Sequence, residues 1–250
     1  MAPTSECTFH IYPKEITNPP VWRTLSVPSD CSFRKLHRAL QIAFNWATTH
    51  SYEFHVHDPS FDPNAEEAQN SMAEIQRMIM KQALPDSNAP REYLLRVNDD
   101  QEWSSTNRQP VDCMHQGMWA HPRTPLKGAS KTRLFEVLEK PEYKGKKMTY
   151  LYDYGDCWEH DIEVLGTAPV AGKIRCLDGE GHYVAEDAGC FKGWNKVLEA
   201  YRTASPDKEQ KQNRLWFEKQ ASNRDPAGLS GDKAKRWDKD AINMKLSVLA

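Results

Sequence analysis

Hydrophobic and polar positions alternate most regularly between Met148 and Val164, where the chain reads MTYLYDYGDCWEHDIEV. Two alternating runs flank Gly155, and alternation is typical of β-strands because successive side chains point to opposite faces of a sheet. The pattern predicts a β-hairpin with one largely aromatic and aliphatic face, which includes His160, and one face rich in carboxylates.

Similar patterns elsewhere predict the remaining elements. Alternation predicts strands over residues 7–12, 21–27, 51–57 and 91–97. Apolar residues at helical spacing predict helices over residues 33–46, 65–84, 131–140, 193–201, 211–220 and 236–249. Ser32 is a suitable N-cap for the first helix. Residues 98–130 are rich in polar residues, Pro and Gly, which indicates a long loop.

These elements indicate an α+β fold in which a mixed or antiparallel β-sheet packs with helices. At 250 residues the chain is long enough to bury a substantial core. We therefore expect a single compact domain over residues 1–250, with a partly helical and loop-rich insertion at residues 59–131.

Composition narrows the class of protein. Hydrophobic residues make up 39% and charged residues 27% of the chain, and the net charge is −2, so no global field attracts nucleic acid or an anionic membrane. No apolar run approaches the roughly 20 residues that span a bilayer, and the start MAPTSECTFH lacks a signal-peptide pattern. We expect a cytoplasmic protein without membrane contact.

The six cysteines form no C-x-x-C pair, and we expect them to be reduced thiols.

Four separated stretches of the chain form an ordered set of motifs. They are PPVWRTLSVPSDCSFRKLHRALQIAFNW followed by THSYEF, then TYLYDYGDCWEHDIEV, CLDGEGHYVAEDAGCFKGW and WDKDAINMKL. The set resembles the plasmid pRiA4b ORF-3-like family, in the form of a fungal-type member with an insertion. The resemblance implies a compact α+β fold with a mixed sheet, and it carries no settled activity. The chain departs from the family pattern at a few positions, which are Tyr154, Val184, Ala185, Cys190 and Trp194.

Nine carboxylates lie between Tyr150 and Cys190, against only two basic residues. They are Asp153, Asp156, Glu159, Asp161, Glu163, Asp178, Glu180, Glu186 and Asp187. If the hairpin and the Gly-rich segment meet, as their joint presence in the family pattern implies, these residues form an acidic, aromatic-lined hollow. Such a surface repels phosphate backbones, so we do not expect direct nucleic-acid binding.

The hollow suits an acid–base enzyme that acts on a small organic, for example aromatic, substrate. Crowded carboxylates differ in proton affinity and a histidine titrates near neutrality, so we predict catalytic roles for Asp153, Asp156 and His160, with Glu186 and Asp187 in support. The predicted substrate-binding residues are Tyr152, Tyr154, Trp158 and Arg23, the last expected to be half-buried beside a carboxylate. The reaction would be an isomerisation, cyclisation or elimination, and no motif indicates an organic cofactor.

Two alternatives stay open at this point. Asp153 and Asp156 are also typical turn residues, so the protein could be a non-catalytic binding or scaffold module with protein or mobile-element partners. In the other alternative the carboxylates, together with His160, bind a divalent metal such as Mg²⁺, Ca²⁺ or Mn²⁺. His55 and His57, on one face of a predicted strand, could also supply two ligands of a metal site.

Overall fold

The computed structural model describes residues 5–62, 91–99, 123–169 and 172–249. Within these ranges eight strands form one mixed sheet, in the spatial order β5-β4-β3-β6-β7-β1-β2-β8. The strands are β1 Ser5–Pro13, β2 Trp22–Pro28, β3 Tyr52–His57, β4 Tyr93–Asn98, β5 Leu126–Gly128, β6 Met148–Tyr152, β7 Trp158–Pro169 and β8 Arg175–Glu180. Neighbouring strands pair antiparallel except β4 and β5, which are parallel. The expected α+β class with a mixed sheet is confirmed.

The predicted hairpin is formed by β6 and β7. Its register places Tyr150 opposite His160 and Tyr152 opposite Trp158, and all four side chains are at most 2% exposed. The aromatic face therefore belongs to the core of the protein, where it fills the space between the sheet and α1.

Five α-helices lie in the described part of the chain, and they are α1 Phe33–Ala43, α2 Phe135–Leu138, α3 Cys190–Arg202, α4 Lys208–Lys219 and α5 Lys239–Leu246. Helix α1 begins as predicted, because the Ser32 hydroxyl accepts a hydrogen bond from the backbone N–H of Lys35 at 3.2 Å. Its apolar side covers the sheet, with Phe33 packed edge-on against Phe54. Helix α5 lies against both α1 and β8.

The structure differs from the sequence pattern at the end of helix α1 and in the Gly-punctuated segment. Helix α1 ends at Ala43 rather than at residue 46, because Asn45 (φ 53°) turns the chain out of the helix. The edge strand β8 lies in the Gly-punctuated segment, where Gly179 and Asp178 gave no strand signal but still pair with β2. The predicted helix over residues 65–84 and most of the predicted loop over 98–130 lie outside the described residues.

Arg23 is fully buried, which corrects the expectation of a half-buried side chain beside a carboxylate. The residue is 2% exposed. Its guanidinium donates hydrogen bonds to four backbone carbonyls, those of Trp22, Ala43, Glu180 and Gly181. It also lies between the rings of Phe44 and Trp237. Backbone carbonyls of α1, β2 and the end of β8 take the place of the expected acid, while burial lowers the pKa of Arg23 to about 10.

Among the described cysteines, Cys7, Cys31, Cys176 and Cys190 are free thiols. Cys157 is disulfide-bonded, so the expectation of reduced cysteines is wrong at this position. No helix in the described ranges is both long enough and apolar enough to cross a bilayer.

Candidate functional site

Three segments that are far apart in the sequence meet around the imidazole of His50. They are the loop between α1 and β3, the turn between β6 and β7, and the loop between β8 and α3. Nε2 of His50 lies 2.9 Å from Asp187 Oδ1, 3.5 Å from Asp153 Oδ2 and 3.9 Å from Glu186 Oε1. We call these four side chains, His50, Asp153, Glu186 and Asp187, the His50 cluster.

The loop after α1 brings its backbone to Glu186. Thr48 adopts a left-handed conformation (φ 60°), and the backbone N–H of Ala47, one residue earlier, donates to Glu186 Oε2 at 2.5 Å. The hydroxyl of Thr49 donates to Oε1 of the same carboxylate at 2.8 Å. His50 follows directly and reaches over the carboxylates from the solvent side.

The hairpin turn holds Asp153 in place. Asp153 has a left-handed backbone (φ 61°), and its Oδ1 accepts a hydrogen bond from the backbone N–H of Gly155 at 2.8 Å. Short polar side chains tolerate this conformation because they bond the local backbone. Tyr152, one residue earlier, donates its hydroxyl proton to Glu186 Oε1 at 2.5 Å. Asp156 lies at the rim, where its Oδ2 accepts from the backbone N–H of Gly189 at 2.9 Å.

The loop before α3 is fixed by Asn223, which follows α4. Its side-chain oxygen accepts from the backbone N–H of Glu186 at 2.8 Å, and its amide nitrogen donates to the carbonyls of Val184 and Asn45. Asp187 is left-handed (φ 61°), and its Oδ2 accepts from the hydroxyl of Ser222 at 3.1 Å. One buried amide therefore ties two of the three segments together.

Unusual backbone conformations concentrate at this place. Seven described residues other than glycine have a positive φ, and all but Glu15 belong to the three segments or to the first residue of α3. They are Asn45, Thr48, Asp153, Cys157, Asp187 and Cys190. Such conformations cost free energy, so they persist only where surrounding contacts hold them in place, and they are concentrated at functional sites.

The His50 cluster has a buried side and an exposed side. The Glu186 side chain is 0% and the Asp153 side chain 7% exposed, whereas His50 is 31% and Asp187 48% exposed. Burial raises the pKa of Asp153, although the Gly155 N–H and the nearby imidazole act in the opposite direction. Burial and the hydrogen bond to Glu186 likewise raise the pKa of Tyr152.

The structure brings together four of the residues singled out in the sequence. Asp153, Glu186 and Asp187 are members of the His50 cluster, and Tyr152 donates to it from within the core. Asp156 lies beside the cluster, with its carboxylate bound to the backbone of the α3 loop. The remaining carboxylates of the predicted hollow spread along the sheet, and Glu159 and Asp161 pair with lysines instead.

The other predicted site residues lie elsewhere. His160 is 0% exposed, and its Nδ1–H donates to the carbonyls of Trp158 at 3.0 Å and Tyr150 at 3.3 Å. Burial lowers the pKa of His160 to about 4, so the ring is neutral in the fold. Trp158 is 2% exposed and borders a small cavity beside the turn. Tyr154 points its hydroxyl towards the Tyr52 carbonyl at 3.3 Å, and Arg23 lies at the β2–β8 edge as described above.

His50 was not singled out from the sequence. It stands in the stretch THSYEF, two residues before β3, and no periodic pattern includes it. The available signal was its position inside one of the four motif stretches, combined with the carboxylates of two others. Chemically the cluster can exchange a proton between an imidazole and a carboxylate, and three of its ligand atoms lie close enough to hold a metal ion.

Comparison with known proteins places the chain in a family. Residues 8–245 match the family of the plasmid pRiA4b ORF-3-like protein. The uncharacterized protein y4hQ of Sinorhizobium fredii (strain NBRC 101917 / NGR234) is 27% identical over 184 residues, which cover 73% of this chain and 66% of that protein. The crystal structure of the protein of unknown function MM3350 from Methanosarcina mazei Go1 has a similar fold, with a TM-score of 0.60 and 20% identity over 95% of this chain and 96% of that chain. The chain belongs to the plasmid pRiA4b ORF-3-like family.

Proposed function

We propose that this protein is an enzyme that performs acid–base chemistry on a small organic substrate at the His50 cluster. The observation that carries the proposal is the convergence of three carboxylates, supplied by two distant segments, on one imidazole nitrogen. The reaction class is an isomerisation, cyclisation or elimination, in which a proton is taken from one position of the substrate and returned to another or to the leaving group. No organic cofactor is needed for such a step.

The exposed pair of the cluster is the reacting pair in this proposal. His50 and Asp187 are the two members that solvent reaches, and their 2.9 Å contact is short enough for a hydrogen bond. Asp187 orients the imidazole, as a carboxylate does for a catalytic histidine in many enzymes. His50 then takes or delivers the substrate proton.

The buried pair supports the reacting pair. Glu186 receives hydrogen bonds from Tyr152, Thr49 and Ala47, so its carboxylate is held in one orientation. Its negative charge and that of Asp153 lie within 4 Å of His50 Nε2 and favour an imidazolium that forms during the reaction. Groups fixed in this way need no reorganisation at the moment of proton transfer.

The proposal is tested by solvent deuterium uptake. The protein is incubated in D₂O with a panel of carbon acids, including β-keto acids, α-hydroxy ketones and phenols with acidic side-chain positions, and mass spectrometry reads the incorporation of deuterium. We expect incorporation into at least one class, and a loss of at least tenfold in His50→Gln. His10→Gln is the matched control, because His10 lies on β1 and contacts Thr24 rather than the cluster.

Thermal unfolding of both variants is measured in parallel, because His50 is a partly exposed loop residue and its replacement should leave the fold intact. Incorporation that is equal in the wild type and in His50→Gln contradicts the proposal. Absence of incorporation from every class of the panel contradicts it as well, and favours the non-catalytic binding module.

A further inference from the structure

We propose that His50 Nε2, Asp153 Oδ2 and Asp187 Oδ1 together bind one divalent transition-metal cation of the Zn²⁺, Mn²⁺ or Co²⁺ type. The site shares residues with the proposed catalytic centre, and a bound cation would replace the hydrogen bond between His50 Nε2 and Asp187 Oδ1. The inference concerns what the residues bind and holds whether or not the reaction occurs. It differs from the metal site considered from the sequence, because the imidazole is that of His50 and not that of His160.

The first argument is geometric. The three ligand atoms lie within 4.8 Å of one another, and two of the separations are 2.9 and 3.5 Å. Ligands bound at about 2.0–2.2 Å to one cation are separated by roughly 3–3.5 Å in tetrahedral or octahedral geometry. A cation therefore fits among these atoms after only small side-chain movements.

The second argument is the charge of the site. Among the residues that the structure describes, no Lys or Arg forms an ion pair with Asp153, Glu186 or Asp187, and His50 is the basic side chain that they share. A metal-binding imidazole is neutral, so the three carboxylates, if all are ionised, give the site a charge of −3. Buried charges are generally paired or coordinate metals, and two of these carboxylates are more than nine-tenths buried. One divalent cation would offset two of these three negative charges.

The third argument is the orientation of the carboxylates. Asp153 uses Oδ1 to accept the Gly155 N–H, and its buried Oδ2 faces His50 Nε2 at 3.5 Å, which is too long for a strong hydrogen bond. Asp187 similarly uses Oδ2 to accept the Ser222 hydroxyl, which leaves Oδ1 directed at the same nitrogen. Metal sites use outer hydrogen bonds of this kind to aim ligand atoms.

Glu186 has a different role, although it lies close by. Its Oε1 accepts from Tyr152 and Thr49 and its Oε2 from Ala47, so both oxygens are occupied by donors. It positions the loop that carries Asp187 and is not a ligand. Three protein ligands and a solvent-accessible side leave coordination positions open for water or substrate, as in catalytic metal sites. One imidazole with two carboxylates suits Zn²⁺, Mn²⁺ or Co²⁺ better than the soft Cu⁺ ion.

The test is a metal titration of the full chain after removal of metal with a chelator. Co²⁺ binding is followed by its visible absorption and Zn²⁺ binding by calorimetry, and we expect one ion per chain for each. His50→Gln and Asp187→Asn should each weaken binding by at least tenfold. His57→Gln, on β3, and Asp161→Asn, on β7, are the matched controls and should retain wild-type affinity.

Thermal unfolding of the metal-free variants shows whether each one is folded before titration. Lack of binding at one ion per chain in the wild type overturns the inference, and so does a loss of binding in His57→Gln that His50→Gln does not share. If the protein incorporates deuterium but binds no metal, the proposed function stands and the metal site is refuted. If the protein binds one ion per chain but takes up no deuterium, the metal site stands and the proposed function is refuted.

Discussion

Acidification from pH 7 to pH 5 should destabilise the protein through two histidines that are buried in neutral form. His37 is 5% exposed, stacks on Tyr52 with ring centroids 3.5 Å apart and shares a hydrogen bond of 2.8 Å with the Tyr150 hydroxyl. Burial, assisted by two neighbouring arginines, lowers the pKa of His37 to about 3, and burial lowers that of His160 to about 4. Both values lie well below about 6.5, the pKa of a histidine in an unfolded chain.

The sign and size of the effect follow from proton linkage. Below about pH 6.5 the unfolded chain binds protons at both positions while the folded protein does not, so acid favours unfolding. The stabilisation is fully present above about pH 6.5 and is lost as the pH falls towards 4 for His160 and 3 for His37. Each histidine contributes about 1.4 kcal/mol per pH unit below about pH 6.5, hence about 2 kcal/mol between pH 6.5 and pH 5. Together they remove about 4 kcal/mol, a large part of a typical stability of about 5–15 kcal/mol.

Urea denaturation at half-unit steps from pH 5 to pH 7 measures this loss. In His37→Phe the ring can still stack on Tyr52, and the Tyr150 hydroxyl keeps its hydrogen bond from Gln41, but the titrating group is gone. The slope of unfolding free energy against pH should then fall by about 1.4 kcal/mol per pH unit between pH 5 and pH 6. The slope is the diagnostic quantity, because altered packing shifts the free energy by a similar amount at every pH. An unchanged slope would refute the assignment of His37 as a neutral buried histidine.

Two further predictions concern stability. Arg23→Met should lower the free energy of unfolding by about 3 kcal/mol or more, because it leaves four buried backbone carbonyls without the guanidinium that donates to them. Urea unfolding at pH 7 measures this loss. A loss below about 1 kcal/mol would show that water replaces the guanidinium. Gly193→Ala should cost about 1–3 kcal/mol, because the added Cβ would lie 1.6 Å from the Ala188 carbonyl oxygen. Gly166→Ala is its control, since no atom lies within 4 Å of the added carbon, and its stability should stay within about 0.5 kcal/mol of the wild type. Equal effects of the two glycine substitutions would contradict the steric argument.

The parts of the fold that the sequence predicted are those with a local period. The β6–β7 hairpin and helix α1 each repeat one pattern over ten or so residues, and their positions were close to those observed. Strand β8 lacks such a repeat, since Asp178 and Gly179 disfavour strands, and it forms because the edge of β2 is available for pairing.

The candidate site was predictable only in part. Charge density indicates Asp153, Glu186 and Asp187, whereas the side chain that joins them, His50, is separated from Asp187 by 137 positions in the sequence. Alternation placed His160 on the correct face of its strand, but it could not distinguish a face that lines a pocket from one that lies in the core. The partners of Arg23 could not be predicted either, because they are backbone carbonyls, which every residue type has.

The left-handed backbone at Asp153 and Asp187 has a consequence for how the protein responds to selection. Glycine adopts this conformation without the penalty that a side chain carries, which is of the order of 1 kcal/mol per residue. A library selected only for thermal stability can therefore accept glycine wherever relief of this strain exceeds the loss of the hydrogen bonds with Gly155 and Ser222, and such molecules have lost the carboxylates facing His50. The aspartates mark two places where thermostability and chemistry make opposite demands on the same residue.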